Sequence, residues 1–168
     1  VLGLFVQSGL GYSPFEASFA TAPIAIGIVV ASIFARNAVA RLGRRLVFAG
    51  IAGVLAGVAI LIAIMIALPN TSQISALHLA VPLFIIGLGA GPAFAAVFDV
   101  ALGDIAPDEA GSASGSVTAV QQLAGAAGAA GLSTLYLNAV ASSGQHQAAL
   151  LSLAVVVAAL AIALLCVR

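Results

Sequence analysis

The segment from Arg36 to Arg45, R-N-A-V-A-R-L-G-R-R, decides the topology because it holds nearly all of the positive charge in the chain. Four of the five basic residues lie in it, and the fifth is Arg168 at the end of the sequence. An apolar run of membrane-spanning length lies on each side of this segment. Cytoplasmic loops of membrane proteins carry the excess of arginine and lysine, so we expect this loop to face the cytoplasm. Alternation then assigns a side to every other loop.

The composition excludes an ordinary soluble domain. Charged residues make up 6% of the chain, against about 25% in soluble proteins. Hydrophobic residues make up 63%, and the mean hydropathy is +1.26. The bilayer must therefore be the solvent for most of this sequence. The chain has no lysine and no net charge, so it offers no basic surface for nucleic acid. The single cysteine, Cys166, excludes a disulfide framework.

We predict an all-α, polytopic membrane bundle, a single unit over residues 1–168, and the spacing of its apolar runs gives the spans. Five complete spans are expected over residues 15–35, 46–68, 75–100, 108–137 and 148–167. Residues 1–10 form at most the last half of a helix, since about 20 apolar residues are needed to cross a bilayer. Because the chain starts at Val1 inside an apolar segment, we expect it to be a fragment of a longer protein.

Alternation from the arginine loop completes the predicted topology. Loops 36–45 and 101–108 and the C-terminus are expected in the cytoplasm, with the protein in the cytoplasmic (inner) membrane. The loop at 101–108 is acidic, which the orientation rule permits because acidic residues contribute little. Tyr12 and Tyr136 fall at the outer interface, where amphipathic rings are favoured.

Ser13-Pro14-Phe15-Glu16 is typical of a helix start. Ser13 can cap the helix, Pro14 suits the first helical position, and Glu16 can reach back to the N–H group of the cap. This position favours a structural role for Glu16 over proton carriage. Pro23, further along the same helix, is expected to kink the helix without ending it.

Glycines and prolines within the spans indicate helix packing or a hinge. The candidates are Gly87, Gly91, Pro92, Gly111 and Gly115. Glycines four residues apart let a second helix approach closely. Irregular backbone at membrane depth is tolerated where it is buried in protein or lines a cavity. Close packing and a part in a transport path both remain open at this stage.

A few polar side chains inside the spans are candidates for a transport path or for coupling: Gln7, Asp99, Gln121 and Gln122. An amide without a partner costs several kcal/mol in hydrocarbon, so the two adjacent glutamines must face other helices or a wet cavity. They point about 100° apart and so should play different parts. Asp99 is the best candidate for a titrating group, and the alternative is an ion pair with Arg36 or Arg41. His78 is expected to be interfacial.

Catalysis has little support in this sequence. Asp99, Asp104 and Asp108 cluster near one membrane face, but no Asn-Asp-x-x-Asp or Asp-Gly-x-x-Ala-Arg pattern is present. His78 and His146 lie on the opposite side, so they cannot share a metal with these acids. No Gly-Lys-Ser/Thr follows the glycine-rich patterns, which excludes a phosphate cradle. We expect neither enzyme activity nor a cofactor or metal.

Three patches, in their order and spacing, resemble the carboxy-terminal half of a major facilitator superfamily transporter of the fourteen-helix drug:proton antiporter branch. Phe5-Val6-Gln7 through Gly11-Tyr12-Ser13-Pro14 looks like the segment that joins two helices of that half. Arg41-Leu42-Gly43-Arg44-Arg45 is similar to the degenerate second copy of the cytoplasmic loop motif. Ala106 to Gly115, followed by Gln121-Gln122-Leu123, resembles the entry into the penultimate helix.

The resemblance implies a six-helix half, its first helix truncated, of a two-bundle transporter that rocks about a midplane site. Proton influx would drive export of drug-like or amphipathic small molecules. The implied partners are the lipid bilayer, the missing amino-terminal bundle, the substrate and protons. The motif residues Arg41, Gly43, Arg44 and Arg45 would stabilise the inward-closed interface.

Three residues depart from the family pattern. Arg36 and Ala40 stand where the loop motif has its glycine and its aspartate, and Gln121 stands where many members carry arginine. Two alternatives therefore stay open. One is a metabolite exporter or uniporter of the same superfamily. The other is a non-transporting scaffold that forms homo-oligomers through its Gly-x-x-x-Gly faces.

Overall fold

A computed structural model describes residues 2–42, 44–68, 74–106 and 108–166, apart from the side chains of residues 8–9, 35–42, 44, 100 and 166. Within these ranges the fold is all-α, as the sequence predicts. The chain starts with a short helix and a π-helical turn, which together we call the N-terminal segment, and continues through long helices. The elements are α1 Leu2–Leu4, the π-helical turn Phe5–Gly9, α2 Pro14–Leu42, α3 Arg44–Ala67, α4 Ala76–Leu102, α5 Ala110–Ser143 and α6 Gln145–Cys166.

Helices α2 to α6 are each long and apolar enough to cross a membrane. The predicted arginine loop is helical on both sides of Gly43, since α2 continues to Leu42 and α3 begins at Arg44. We call this end of the bundle the arginine end. Helices α2, α4 and α6 run towards it from the opposite end, and α3 and α5 run away from it. Gly43 itself lies outside the described residues.

The polar stretch between the last two helices is also more helical than its composition suggests. Residues 138–147 are predicted as a loop, yet α5 continues to Ser143 and α6 begins at Gln145. Gly144 alone makes the reversal, with a φ of 81° that favours glycine. A polar stretch shows where a helix leaves the apolar layer of the membrane, but it does not by itself end the helix. The hydroxyl of Ser142 bonds back to the carbonyl of Ala139 at 3.3 Å.

The main hydrophobic core lies at the opposite end, and the N-terminal segment fills its centre. Phe5 and Val6 are 2% and 0% exposed. They belong to one cluster with residues from all five long helices, among them Leu61, Leu79 and Leu153. Short though it is, the N-terminal segment therefore joins the helices at this end.

Tyr136 belongs to this same core, and its position corrects the expectation that its ring lies at the lipid–water interface. The side chain is 1% exposed. Among the described residues its hydroxyl has no hydrogen-bond partner. Tyr12 is half-buried and packs against the cluster. Apolar packing has therefore determined the place of the Tyr136 ring.

The arginine end has a smaller core. Leu46, Val47, Ile51 and Ala96 form a buried cluster there, with Leu160 packed against it. All of these residues come from α3, α4 and α6. No described segment fills the centre of the bundle at this level as the N-terminal segment does at the opposite end.

Glycine contacts hold α4 against α2 on one side and α3 on the other. A Cβ atom added to Gly89 would lie 2.5 Å from the carbonyl oxygen of Gly50 in α3. One added to Gly87 would collide with the carbonyl group of Ile24 in α2. Backbones this close leave no room for a methyl group. Close helix packing therefore explains the glycine at Gly87. The same holds for Gly91, where a Cβ atom would lie 3.0 Å from the carbonyl oxygen of Ile28.

Replacing Gly89 by alanine should destabilise the bundle, because α3 and α4 must move apart to admit the new methyl group. Overpacking of this kind costs about 1–3 kcal/mol. Gly128→Ala in α5 is the matched control, since no described atom lies within 4 Å of a Cβ there. The measurement is the thermal unfolding of the full-length protein in detergent. Equal melting temperatures for the two variants would contradict the close contact.

Candidate functional site

Helix α5 lies almost uncovered on the bundle. Of its side chains, Tyr136 alone is buried, although the helix runs from Ala110 to Ser143. A Cβ added at any of its five glycines would meet nothing within 4 Å: Gly111, Gly115, Gly125, Gly128 and Gly131. Gly111 and Gly115, which the sequence suggests for packing or a hinge, therefore face open space in the described part of the chain.

The half of this helix nearer the arginine end carries several hydroxyl groups and two adjacent glutamines. The hydroxyls of Ser112, Ser116 and Thr118 donate to backbone carbonyls three or four residues earlier, at 2.8–3.0 Å. Gln122 is exposed, and no described residue bonds its amide. A serine can satisfy its donor within the helix, but a glutamine amide needs a partner from outside. Gln122 therefore marks a face that suits protein or water better than lipid.

Gln121, one residue earlier, has different surroundings. It is half-buried and lines an apolar groove of about 330 Å³ that lies between α5 and the rest of the bundle near the arginine end. The groove is otherwise lined by apolar residues of α3, α4 and α6, among them Val47, Ala93 and Leu160. The two glutamines are thus separated, as their angular spacing on the helix predicts.

The carboxylates do not converge on one site. Glu16 and Asp99 lie within the spans, near opposite ends of the bundle, and both are exposed. Asp104 and Asp108 lie in the connection between α4 and α5. Among the described residues, no three histidine, cysteine or acidic side chains are grouped so as to hold a metal ion. The side chains of Arg36 and Arg41, with which Asp99 was suggested to pair, lie outside the described part of the chain.

The capping role predicted for Glu16 is confirmed. Its carboxylate accepts hydrogen bonds from the backbone N–H of Ser13 at 2.9 Å and from the Ser13 hydroxyl at 2.8 Å. The backbone N–H of Glu16 donates in return to the Ser13 hydroxyl at 3.3 Å. These bonds satisfy donors that a helix start leaves without partners. The carboxylate is thereby engaged at the start of α2.

His78 has a similar role at the start of α4, which the sequence analysis missed. The backbone N–H of Ser75 donates to His78 Nδ1 at 3.3 Å, and the Ser75 hydroxyl lies 2.9 Å from the same nitrogen. An accepting Nδ1 places the proton of the neutral ring on Nε2. The signal was available, because a serine three residues before a side chain that can accept is the spacing of a capping box.

His146 joins two helices that are distant in sequence, and the sequence analysis missed this contact too. Its Nε2 lies 2.8 Å from the backbone carbonyl oxygen of Met65, near the end of α3. The usual helical donor to that oxygen would be residue 69, but Pro69 has no N–H. The histidine therefore supplies the hydrogen bond that the proline cannot make. Met65 itself is buried in the main core.

The remaining residues suggested by the sequence are spread over the bundle. Gln7 is exposed in the π-helical turn, close to the opposite end. Pro23 lies inside α2 and Pro92 inside α4, and both helices continue through them. Arg45 is exposed at the start of its span. Gly43 and the side chains of Arg41 and Arg44 lie outside the described part of the chain.

Comparison with known proteins gives a family and two relatives. Residues 1–129 match the family model described as the Major Facilitator Superfamily. The chain is 33% identical over 143 residues to the probable actinorhodin transporter of Streptomyces coelicolor, covering 84% of this chain and 24% of that protein. It is 34% identical over 143 residues to a puromycin resistance protein of Streptomyces alboniger, covering 84% of this chain and 28% of that protein. The chain thus spans about a quarter of the length of the curated relatives it matches.

Replacing Glu16 tests whether its carboxylate acts in capping alone. Glu16→Gln should keep most of the stability, because the amide oxygen still accepts from Ser13, whereas Glu16→Leu should lower the melting temperature. Ser13→Ala should lower it as well, since it removes the reciprocal bond. Thermal unfolding of the full-length protein is the measurement. A Glu16→Gln variant as unstable as Glu16→Leu would contradict the capping role.

Replacing His146 tests the contact between α3 and α6. His146→Phe should lower the free energy of unfolding by about 0.5–1.5 kcal/mol, the net value of one hydrogen bond. His146→Gln keeps a donor of similar reach and is the matched control. Thermal unfolding of both variants is the measurement. No difference between them would mean that the carbonyl group of Met65 does not need the donor.

Proposed function

This chain belongs to the Major Facilitator Superfamily, a family of transporters and not of enzymes, and we propose that it forms one helical bundle of a proton-coupled exporter of drug-like or amphipathic small molecules. Membership of the family and the five candidate spans make it a multi-pass membrane protein. One bundle of such a transporter provides one wall of the substrate path. We also propose that this bundle is the carboxy-terminal one and that the transporter belongs to the fourteen-helix antiporter branch.

The observation that carries the proposal is the open face of α5. This helix is the least apolar of the five spans, and only Tyr136 on it is buried. Left against lipid, the amide of Gln122 would have no partner, at a cost of several kcal/mol. A second bundle across a water-accessible path would give that amide partners and would let the glycines of α5 pack closely.

Helix α2 also has an exposed face, and this face is apolar. Phe15, Phe19, Ile26 and Ile33 are each more than half exposed on it. Their spacing of four or seven residues places them on one stripe of the helix. Such a stripe suits lipid or another helix equally. The polar path therefore lies along α5, and α2 makes apolar contacts.

The names of the relatives support the substrate class. One is a probable transporter of actinorhodin and the other a protein of puromycin resistance. Among the described residues, the groove lining and the open face of α5 carry no charged side chain between Ser112 and Ser143. Apolar walls with a few polar groups bind by shape and suit amphipathic compounds.

The orientation is proposed from the arginines. With the arginine end in the cytoplasm, loops 36–45 and 101–108 and the C-terminus lie inside, in the inner membrane. Arg41, Gly43, Arg44 and Arg45 would then form the loop motif that stabilises the inward-closed interface. Ala40 stands where that motif has its acidic residue, and residues 36–45 contain no acidic residue.

Asp99 is the candidate coupling group of this bundle. Of the two carboxylates in the spans, Glu16 is engaged in the cap of α2. Asp99 lies exposed in the last turns of α4 at the arginine end. Acidic residues within spans mark proton and substrate paths. Proton coupling within this bundle depends on the carboxylate of Asp99 alone. The alternative is therefore a uniporter or metabolite exporter of the same superfamily.

Efflux by the full-length protein in inverted vesicles should collapse when a protonophore removes the proton gradient while ATP is held constant. Asp99→Asn should slow gradient-driven efflux and leave substrate binding intact, because the amide keeps the shape of the side chain but cannot release a proton. Glu16→Gln is the control that removes a carboxylate from the other end of the bundle.

Three results would contradict the proposal or a part of it. Efflux that continues unchanged after the protonophore would favour the uniporter. Asp99→Asn with unaltered gradient dependence would place the coupling group at another residue. The absence of any efflux or binding of amphipathic compounds by the full-length protein would contradict the exporter itself.

A further inference from the structure

A second groove, which we call the α3–α6 groove, lies between these two helices at the opposite end of the bundle. Its volume is about 450 Å³, within the range of about 300–1,000 Å³ that is typical of small-molecule pockets. Among the described residues that line it, none belongs to α5, along which the proposed substrate path lies. The lining consists of Ile62, Ile66, Gln147, Leu150, Leu151 and Ala154.

The α3–α6 groove faces away from the interior of the bundle. Two of its wall residues on α3 directly follow Leu61 and Met65, which are buried in the main core, and two on α6 directly follow Ala149 and Leu153, which are buried there too. Neighbouring residues on a helix point about 100° apart, so the walls turn from the core towards the surroundings of the protein. Since α3 and α6 are the two most apolar of the five candidate spans, these surroundings are the acyl chains of the bilayer.

The groove is polar at its mouth and apolar below it. Gln147 lies in the first turn of α6, and its side chain is exposed. The rest of α6 as far as Cys166 is apolar except for Ser152, whose buried hydroxyl donates to the carbonyl oxygen of Ala148 at 2.8 Å. From Gln147 to Ala154 the groove extends about 10 Å at 1.5 Å per residue. One leaflet contributes half of a hydrocarbon core about 30 Å thick, so the groove runs from the membrane interface into a single leaflet.

A hydrogen bond between the two helices fixes the mouth of the groove. His146 Nε2 lies 2.8 Å from the carbonyl oxygen of Met65. The next residue on each helix, Gln147 on α6 and Ile66 on α3, lines the groove. The contact therefore holds the two walls at a set separation, and the groove is formed before anything binds in it.

The shape of the walls suits a flexible chain better than a helix. Two isoleucines of α3 and two leucines of α6 form most of the lining, and Ala154 is the one small residue among those described. Helices in membranes approach one another through small residues, as α4 approaches α3 at Gly89. An acyl chain has no fixed shape, so it can follow walls of large branched side chains.

We propose that the α3–α6 groove binds one phospholipid of the leaflet at the opposite end, with an acyl chain between the two helices and the amide of Gln147 bonded to the ester or phosphate oxygens of the same lipid. The amide offers the donors that these oxygens accept. Lipid tails are as apolar as the walls, so apolar burial alone does not select this lipid. Close van der Waals contact with preformed walls and the hydrogen bond at the mouth distinguish it from its neighbours.

The inference requires that the chain spans a membrane and does not depend on what the transporter exports. The bound lipid would add to the contact between α3 and α6 on the side of the bundle that the core does not reach. Its site is separate from the open face of α5, because no described lining residue of the groove comes from that helix.

Photolabelling of the full-length protein in detergent tests the site, since detergent removes the competition from bulk lipid. Phosphatidylethanolamine with a diazirine on one acyl chain is titrated in, and the labelled residues are mapped by mass spectrometry. The groove walls should be labelled saturably and several-fold more than Ile162 and Leu165, which are exposed on α6 outside the groove. An excess of unlabelled phosphatidylethanolamine should suppress this labelling.

Two variants, each with a matched control, test the groove itself. Ala154→Leu fills the groove and should reduce labelling of its walls to the level of the reference residues, whereas Ala159→Leu, exposed on α6 outside the lining, should leave it unchanged. Gln147→Leu should raise the half-saturating lipid concentration about two- to tenfold, which corresponds to the loss of one hydrogen bond. Gln145→Leu is its control, at the start of the same helix and outside the lining.

Three kinds of result would overturn the site. The first is labelling of the groove walls that does not saturate or that equals the labelling of Ile162 and Leu165. The second is an equal effect of Ala154→Leu and Ala159→Leu. The third is a different occupant, shown by a disulfide from Ala154→Cys to a cysteine on another helix of the full-length protein, or by suppression of the labelling with the amphipathic cation ethidium.

Discussion

Hydrocarbon provides no hydrogen bonds, and this constraint governs each polar group in the bundle. The helices satisfy their backbones internally, so only their ends and side chains need outside partners. At the ends the chain supplies them locally: Ser13 with Glu16, and Ser75 with His78. Near the end of α3, His146 reaches across from α6 to the carbonyl oxygen of Met65. Because hydrocarbon offers no hydrogen bonds, the amides of Gln121 and Gln122 also need partners, which lie beyond the described residues.

Close packing solves a second problem of the membrane, because lipid tails are as apolar as the helix faces and do not drive helices together. Gly87 and Gly89 let the backbone of α4 approach α2 and α3 so closely that a methyl group would not fit. Helix α5 has five glycines, against three in α4, but none of them packs against another helix among the described residues. The contrast means that glycine content alone does not identify a packed interface, and that the α5 glycines suit a partner outside this bundle.

Features encoded by neighbouring residues could be predicted from the sequence, whereas those that depend on distant residues could not. The all-α class, the number of spans and the cap of Glu16 follow from local patterns. The contact of His146 with Met65 joins residues 81 positions apart, and only the missing donor of Pro69 hints at it. Tyr136 was expected at an interface, yet packing with the N-terminal segment buries it. The angle between Gln121 and Gln122 could be predicted, because the two residues are adjacent on one helix. The groove that Gln121 lines could not be predicted, because its other walls come from α3, α4 and α6.

The buried hydroxyl of Tyr136 shows how the core and the open face of α5 are related. A phenol buried without a partner among the described residues is unfavourable by about 1–3 kcal/mol. Its ring nevertheless provides the only buried side chain of α5, and it lies in the core that Phe5 and Val6 complete. The apolar contact of this ring thus holds α5 at the opposite end, while the helix stands open towards the arginine end. Tyr136 thus anchors α5 at the opposite end, and the amide of Gln122 stays exposed nearer the arginine end.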